Sequence, residues 1–203
     1  MYDVLIFGGS AAGMSCALIL GSAKHKSFAE NKRIGIIMHQ KSSALQNAEL
    51  NNVLGLAPQT KGADILEEGR QHLNAIYNHV EQIDKEKVIS VKQTEDFIVV
   101  KTNKNTYETK AIVVALGASN LFNIKGLESY IEPHRKLSAK KERIQLKNKD
   151  HKVASNIYVA GVLAGWRSQF AIACGSGASV ATDILTEWND GNHAMVHDKI
   201  KMA

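Results

Sequence analysis

Six residues near the start of the chain, Gly8-Gly9-Ser10-Ala11-Ala12-Gly13, carry the sharpest chemical signal in the sequence. They follow a short apolar run and open a stretch of helical composition, the arrangement that receives the pyrophosphate of a dinucleotide. In that arrangement the first glycine makes the tight turn, and the second position lets the backbone approach phosphate. The third lets the helix pack on the strand. Gly8 and Gly13 fit the first and third roles. Ser10 stands at the second, with a small hydroxyl that allows approach and can itself donate to phosphate. No lysine follows Gly13, which excludes an ATP-type phosphate loop. An acid normally ends the next strand and holds the adenosine ribose; here that strand ends in Met38-His39.

Other residue types that could do chemistry are sparse. Cys16 and Cys174 read as small buried helix residues, the alternative being a dithiol brought together by two helices. His193 and His197 are four apart and could share a helix face, but no carboxylate ligand accompanies them, so they read as a solvated tail and no metal site is assigned. Trp166-Arg167 reads either as a hydrophobic plug with a surface arginine or as a ligand contact. No side chain stands out as an acid, base or nucleophile.

The elements that must position the glycine turn follow from periodicity. Tyr2–Phe7 reads as a buried strand, Ala11–Lys24 as a helix and Ile34–Met38 as a second strand. Residues 39–62 are mostly loop, and Ala63–His79 is helical. Val88–Val91, Phe97–Thr102 and Thr106–Thr109 form an antiparallel meander, placed at about residues 80–110. Ala111–Leu116 and Ile157–Ala160 are buried parallel strands that stop at Gly117 and Gly161, and Ser168–Glu187 is a long last helix. Alternating strands and helices of this kind make an α/β fold with a doubly wound parallel sheet.

Composition narrows the class. The 203 residues are 44% hydrophobic and 22% charged, enough to bury a core in one domain. No apolar run reaches the ~20 residues of a membrane helix, and no signal peptide is visible, so a cytoplasmic protein is expected. The formal charge is +5. His134–Lys152 alone holds eight basic and two acidic side chains, so the excess is one local segment. That segment has no aromatic residue, which argues against nucleic acid.

Four landmarks in order extend the reading: YDVLIFGGSAAGMSCALIL at the start, Asn51-Asn52-Val53-Leu54-Gly55 followed by Gly62–Arg70, AIVVALGA at Ala111–Ala118, and NIYVAG at Asn156–Gly161 followed by Ser168–Gly177. Together they resemble the FAD domain of the thioredoxin-reductase-like pyridine-nucleotide disulfide oxidoreductases, over almost the whole chain. The resemblance implies a FAD/NAD(P)-binding Rossmann-type domain with the meander inserted. It implies that Gly8, Gly9, Ser10, Ala11, Ala12 and Gly13 hold the pyrophosphate, with Met38 and His39 at the ribose. Ser43, Ala44 and Asn47 would lie along the pyrophosphate and ribityl chain, Asn52 near the isoalloxazine and Val88 near the adenine. Ala115 and Gly117 belong to the strand end beside the cofactor, and Gly161 and Val162 to the ribityl segment. Gln169 and Phe170 would start a helix whose amides face the flavin pyrimidine, where they stabilise the charge of a reduced flavin.

Two departures shape the functional expectation. The family carries Gly-Asp where this chain has Gly161-Val162. The family also inserts an NADPH domain, often with a CxxC, where this chain has only residues 119–155, too short for a second Rossmann unit. The expectation is a single FAD-binding domain, 1–203, that transfers electrons or hydride with an external redox partner or separate reductase; a homodimer is left open. The alternative is a nucleotide-binding or interaction module that kept the fold and lost turnover. A third reading, NAD alone, fits the Asn52 loop and Gln169 helix less well.

Overall fold

The computed structural model describes residues 1–39 and 43–196. Its frame is set by apolar runs that are buried on both faces. β1 (Tyr2–Phe7) and β2 (Ile34–Met38) have no exposed residue, and α1 (Ala11–Ser22) crosses between them. A small two-stranded ladder, β3 (Glu49–Leu50) with β4 (Thr60–Lys61), leads into α2 (Gly62–Ile76) and then β5 (Val80–Asp84). β6 (Val88–Gln93), β7 (Ile98–Thr102) and β8 (Thr106–Val114) follow as the meander. After it come the hairpin β9 (Ile131–Pro133) and β10 (Ile144–Leu146), then β11 (Lys152–Ala154), β12 (Ile157–Val159) and α3 (Phe170–Trp188).

The main sheet runs in the order β11-β12-β8-β1-β2-β5, with β7 on the first half of β8 and β6 on β7. From β12 to β5 every pairing is parallel. The C-terminal ends of these strands therefore share one edge, where ligands of such sheets bind.

Alternation along the strands divides the core in two. Val4 and Ile6 of β1 and Ala111 and Val113 of β8 face the helices, together with Leu20 of α1, Leu73 of α2 and Leu185 of α3. Leu5, Phe7, Ile112 and Val114 face the opposite way, toward Ile98 and Val100 of the meander and Leu127 and Leu146 of the connection. Each such fully buried aliphatic side chain contributes about 1.5–3 kcal/mol. The connection that carries the basic segment thus also supplies apolar side chains to the second core.

Two boundaries differ from the sequence reading. Val80–Asp84 is not part of the meander but the edge strand of the parallel sheet, paired with β2. Only Val80 and Ile83 are buried, one in each half of the core, while Glu81 and Asp84 are exposed, so it lacks the continuous apolar run of a central parallel strand. The helix before it accordingly stops at Ile76, not His79. Thr106–Thr109 and the strand that starts at Ala111 are one continuous β8, which serves β7 with its first half and β12 with its second. Among the described residues no helix is long and apolar enough to cross a membrane.

Candidate functional site

At the shared edge, the chain leaves β1 through Gly8, whose φ of +105° is open to glycine at little cost. A side chain there would also meet the Ala115 carbonyl at 2.6 Å. At Gly13 a Cβ would lie 1.8 Å from the Gly8 carbonyl oxygen, so α1 rests directly on the turn. At Gly177 a Cβ would lie 1.9 Å from the Ala12 carbonyl, so α3 docks on α1 just behind it. Close backbone contact, not side-chain chemistry, shapes this corner.

The corner presents two bare helix ends. α1 has no acid in its first turn and no side-chain cap at Ser10, and its first hydrogen bond is Met14 N–H to the Ser10 carbonyl. The amides of Ala11, Ala12 and Gly13 have no partner among the described residues. α3 repeats the pattern: Gln169 makes no side-chain cap, no acid follows, and the first bond is Ala173 N–H to the Gln169 carbonyl. Each end carries roughly half a positive charge from the helix dipole and free N–H donors.

Ser10 spends its hydroxyl sideways, 2.6 Å from Ser43 Oγ. Ser43 also accepts from Leu45 N–H, which caps the short helical turn Ala44–Asn47. That turn packs on the start of α2, where a Cβ on Gly62 would lie 2.0 Å from the Leu45 carbonyl. Beyond it, Asn51 Oδ1 accepts from Gln59 N–H at 2.7 Å and closes the loop, while Asn52 stays exposed without a partner among the described residues.

The end of β2 is apolar where an acid was expected. Met38 is buried, and its Sδ lies 2.4 Å from where a Gly9 Cβ would stand. Arg70 Nη1 reaches this sulfur at 3.8 Å, and Arg70 Nη2 pairs with Asp84 at 2.6 Å. The hydrogen bond to Asp84 raises the guanidinium pKa. His39 is exposed at the strand end. Arg70 and Asp84 border this strand end and were not singled out from the sequence. Their signal, a basic residue late in α2 and an acid ending β5, becomes visible only once β5 is placed beside β2.

At the other end, Gly161 (φ +73°) begins a short helical turn, Gly161–Ala164, with Ala12 Cβ 3.0 Å from where its own Cβ would be. Gly161 N–H donates to Ser176 Oγ at 2.8 Å. His134 fastens the next residue. Its Nδ1 accepts the N–H groups of Lys136 and Leu137, which leaves Nε2–H to donate to the Val162 carbonyl at 2.9 Å. Ser176 and His134 were also missed, because each acts through a backbone group far off in sequence.

Ala115 is buried at the end of the β8 run and Gly117 is exposed just beyond. Gln169 and Phe170 start α3 as expected. Val88 is buried in the meander core opposite Thr102. Cys16 is buried and Cys174 half-buried; both are free, and burial pushes both thiols up, away from the thiolate that redox chemistry needs. His197 lies outside the described residues.

A parallel sheet with a glycine turn after its first strand and two bare helix N-termini at one edge is the FAD/NAD(P)-binding Rossmann type. The pyridine nucleotide-disulphide oxidoreductase family matches residues 2–177, and the chain belongs to that family. A ferredoxin–NADP reductase of Pediococcus pentosaceus is 28% identical over 163 residues, 79% of this chain and 47% of that protein. A thioredoxin reductase of Peptoclostridium litorale is 31% identical over 127 residues, 59% of this chain and 35% of that protein. The chain thus spans less than half the length of these relatives. The structure of a thioredoxin reductase from Gloeobacter violaceus shares the fold, with a TM-score of 0.71 at 14% identity over 99% of both chains.

FAD is the cofactor of this family. The corner fits a pyrophosphate, since the glycines let the turn pack closely and the amides of Ala11, Ala12 and Gly13 at its helix end have no partner among the described residues. The two flanks are less polar than the cradle, with Met38 at one and Val162 at the other.

Proposed function

We propose that this chain is an FAD-holding oxidoreductase module that exchanges electrons or hydride with an external partner, a protein or a diffusible molecule, in the cytoplasm. One observation carries the reading: α1 and α3 both begin in bare, acid-free N-termini, and the two helices pack together where Gly177, two turns into α3, meets the Ala12 carbonyl at the start of α1. Bound FAD supplies the redox chemistry. The residues of this chain supply position and charge. Gly8, Gly9, Ser10, Ala11, Ala12 and Gly13 hold the pyrophosphate on backbone amides. Ser43, Ala44, Asn47 and Asn52 line the path toward the flavin ring, with Ala115, Gly117, Gly161 and Val162 along its flank. The N-terminal amides of α3, which Gln169 and Phe170 begin, would face its pyrimidine edge and favour negative charge there. Met38 and His39 border the ribose, and Val88 stands on the adenine side.

The purified protein tests this directly. A yellow protein that releases FAD on denaturation is expected, and a colourless protein that fails to take up added FAD overturns the reading. A second reading, a nucleotide-binding module without turnover, draws on Met38 and Val162, which replace two polar anchors. Reduction of the bound flavin by a chemical donor, followed by reoxidation with an added electron acceptor, separates the two. The first reading expects turnover and the second expects none.

A further inference from the structure

The connection before β12 builds a second site on the far side of Gly161. Lys149 and Lys152 exchange backbone hydrogen bonds of 3.0 and 2.9 Å, closing a two-residue turn on Asp150 and His151. Both central residues have positive φ, +47° and +69°. Turns of this kind favour Asn-Gly, and a histidine in the left-handed region costs of order 1 kcal/mol or more. The ring is nonetheless held, 7% exposed, between Trp166 and Ser176. Trp166 Nε1 donates to His151 Nε2 at 3.0 Å. An indole N–H only donates, so Nε2 accepts and the neutral ring carries its proton on Nδ1. Ser176 Oγ, 2.9 Å from Nε2, is the same oxygen that accepts Gly161 N–H.

Nδ1–H has no partner among the described residues, yet it is not sealed. Among those residues, the buried side-chain polar atom left unpaired is Gln82 Oε1, in another part of the molecule. The open space against the ring is a cavity of about 290 Å³ lined also by Arg135, Asn148, Lys149, Asp150 and Trp166. Arg135 spends Nε and Nη2 on the carbonyls of Gly165 and Ala164 and has no ion-pair partner among the described residues. Lys136 Nζ lies 4.3 Å from the Trp166 ring centre, adding a third positive charge. The opposing carboxylates are Asp150 in the wall and Asp183, which faces the ring from α3.

We infer that His151, Arg135 and Lys149 form a binding site for an oxyanion, the phosphoryl or carboxylate group of a small molecule, joined through Ser176 to Gly161. Two basic side chains and His151 line a space at the small end of ligand pockets, and a neutral histidine whose Nδ1–H has no partner among the described residues suits an acceptor oxygen. The site stands whether or not the chain binds FAD.

The chain has two tryptophans, Trp166 and Trp188, so W188F leaves Trp166 fluorescence as a local reporter. Inorganic phosphate and succinate are titrated separately, with sodium chloride holding ionic strength constant. A saturable response is expected. R135Q and K149Q, on exposed side chains, raise the half-saturation concentration roughly tenfold each with unchanged circular dichroism. H151N weakens binding likewise, and asparagine tolerates the left-handed turn. Saturation by phosphate alone assigns a phosphoryl ligand, and by succinate alone a carboxylate. A linear response to both anions, or equal half-saturation in all three variants and the W188F parent, overturns the site.

Discussion

Two tight turns flank Gly161, and they are built in opposite ways. The turn at residues 8–13 is made by missing atoms: Gly8 and Gly13 let backbone meet backbone at distances no side chain survives, and Gly9 leaves room for the Met38 side chain. The turn at Asp150-His151 is made by present atoms, with two non-glycine residues in a strained conformation held by Trp166 and Ser176. The first therefore tolerates almost no addition, and the second almost no deletion. The largest expected effect tests the first half of that contrast. Gly13→Ala places a methyl 1.8 Å from the Gly8 carbonyl, and backbone on both sides cannot step aside. It costs about 3 kcal/mol or more and abolishes flavin retention. Gly117→Ala meets nothing within 4 Å and stays within about 0.5 kcal/mol. Urea midpoints for the two variants that coincide would remove the distinction.

The second half is tested by deletion. Ser176→Ala leaves Gly161 N–H buried with no acceptor and His151 Nε2 with one donor fewer, at a cost of about 1–3 kcal/mol by urea unfolding. Val162→Asp instead adds a carboxylate beside the ribityl path. The expected gain is roughly tenfold tighter FAD, read from dissociation of the flavin; weaker binding would mean that the His134 contact has already shaped this flank for an apolar residue.

The histidine turn also sets a pH dependence. Burial lowers the pKa of His151 from its usual 6.5, opposed in part by Asp183 and Asp150 and reinforced by Arg135. The native state then binds fewer protons than the unfolded chain, so stability is complete above about pH 6.5 and is lost as pH falls through the lower folded value. Urea midpoints should fall across that window, and H151N should flatten the slope. Asp183, whose carboxyl burial pushes up and the His151 charge pulls back, is coupled to the ring, so H151N removes that coupling together with the histidine's own titration.

The same contrast explains what could be read from the sequence. Gly8, Gly13 and the strands around them are local signals, because a turn that needs no side chain is written as glycine directly after an apolar run. The start of α3 at Gln169 and Phe170 was legible in the same way. Val80–Asp84 was not, since an edge strand with polar residues among its apolar ones reads like part of a meander and only its pairing with β2 shows which it is. His134, His151 and Ser176 were illegible for a deeper reason. Their partners lie 15 to 28 residues away or bond through backbone atoms, so residue type and spacing carry no trace of the contact. Charge counting found the segment of the two histidines and not its interior, because it registered lysines and arginines and not what lay beneath them.

The smallest effect separates that surface from what lies beneath. Lys140, Lys141 and Arg143 are exposed. Replacing all three with glutamine should change stability by no more than about 0.5 kcal/mol. Binding of polyglutamate, a stand-in for an acidic partner, should weaken several-fold at low salt and lose the difference as the Debye length shrinks toward ~8 Å at physiological ionic strength. Phosphate binding at the Arg135 cavity should hold steady in the same variant, because directed donors and not the summed field of the segment recognise the anion there. A parallel loss of both would make the segment one diffuse basic patch, and the histidine turn beneath it would then be a structural fastening alone.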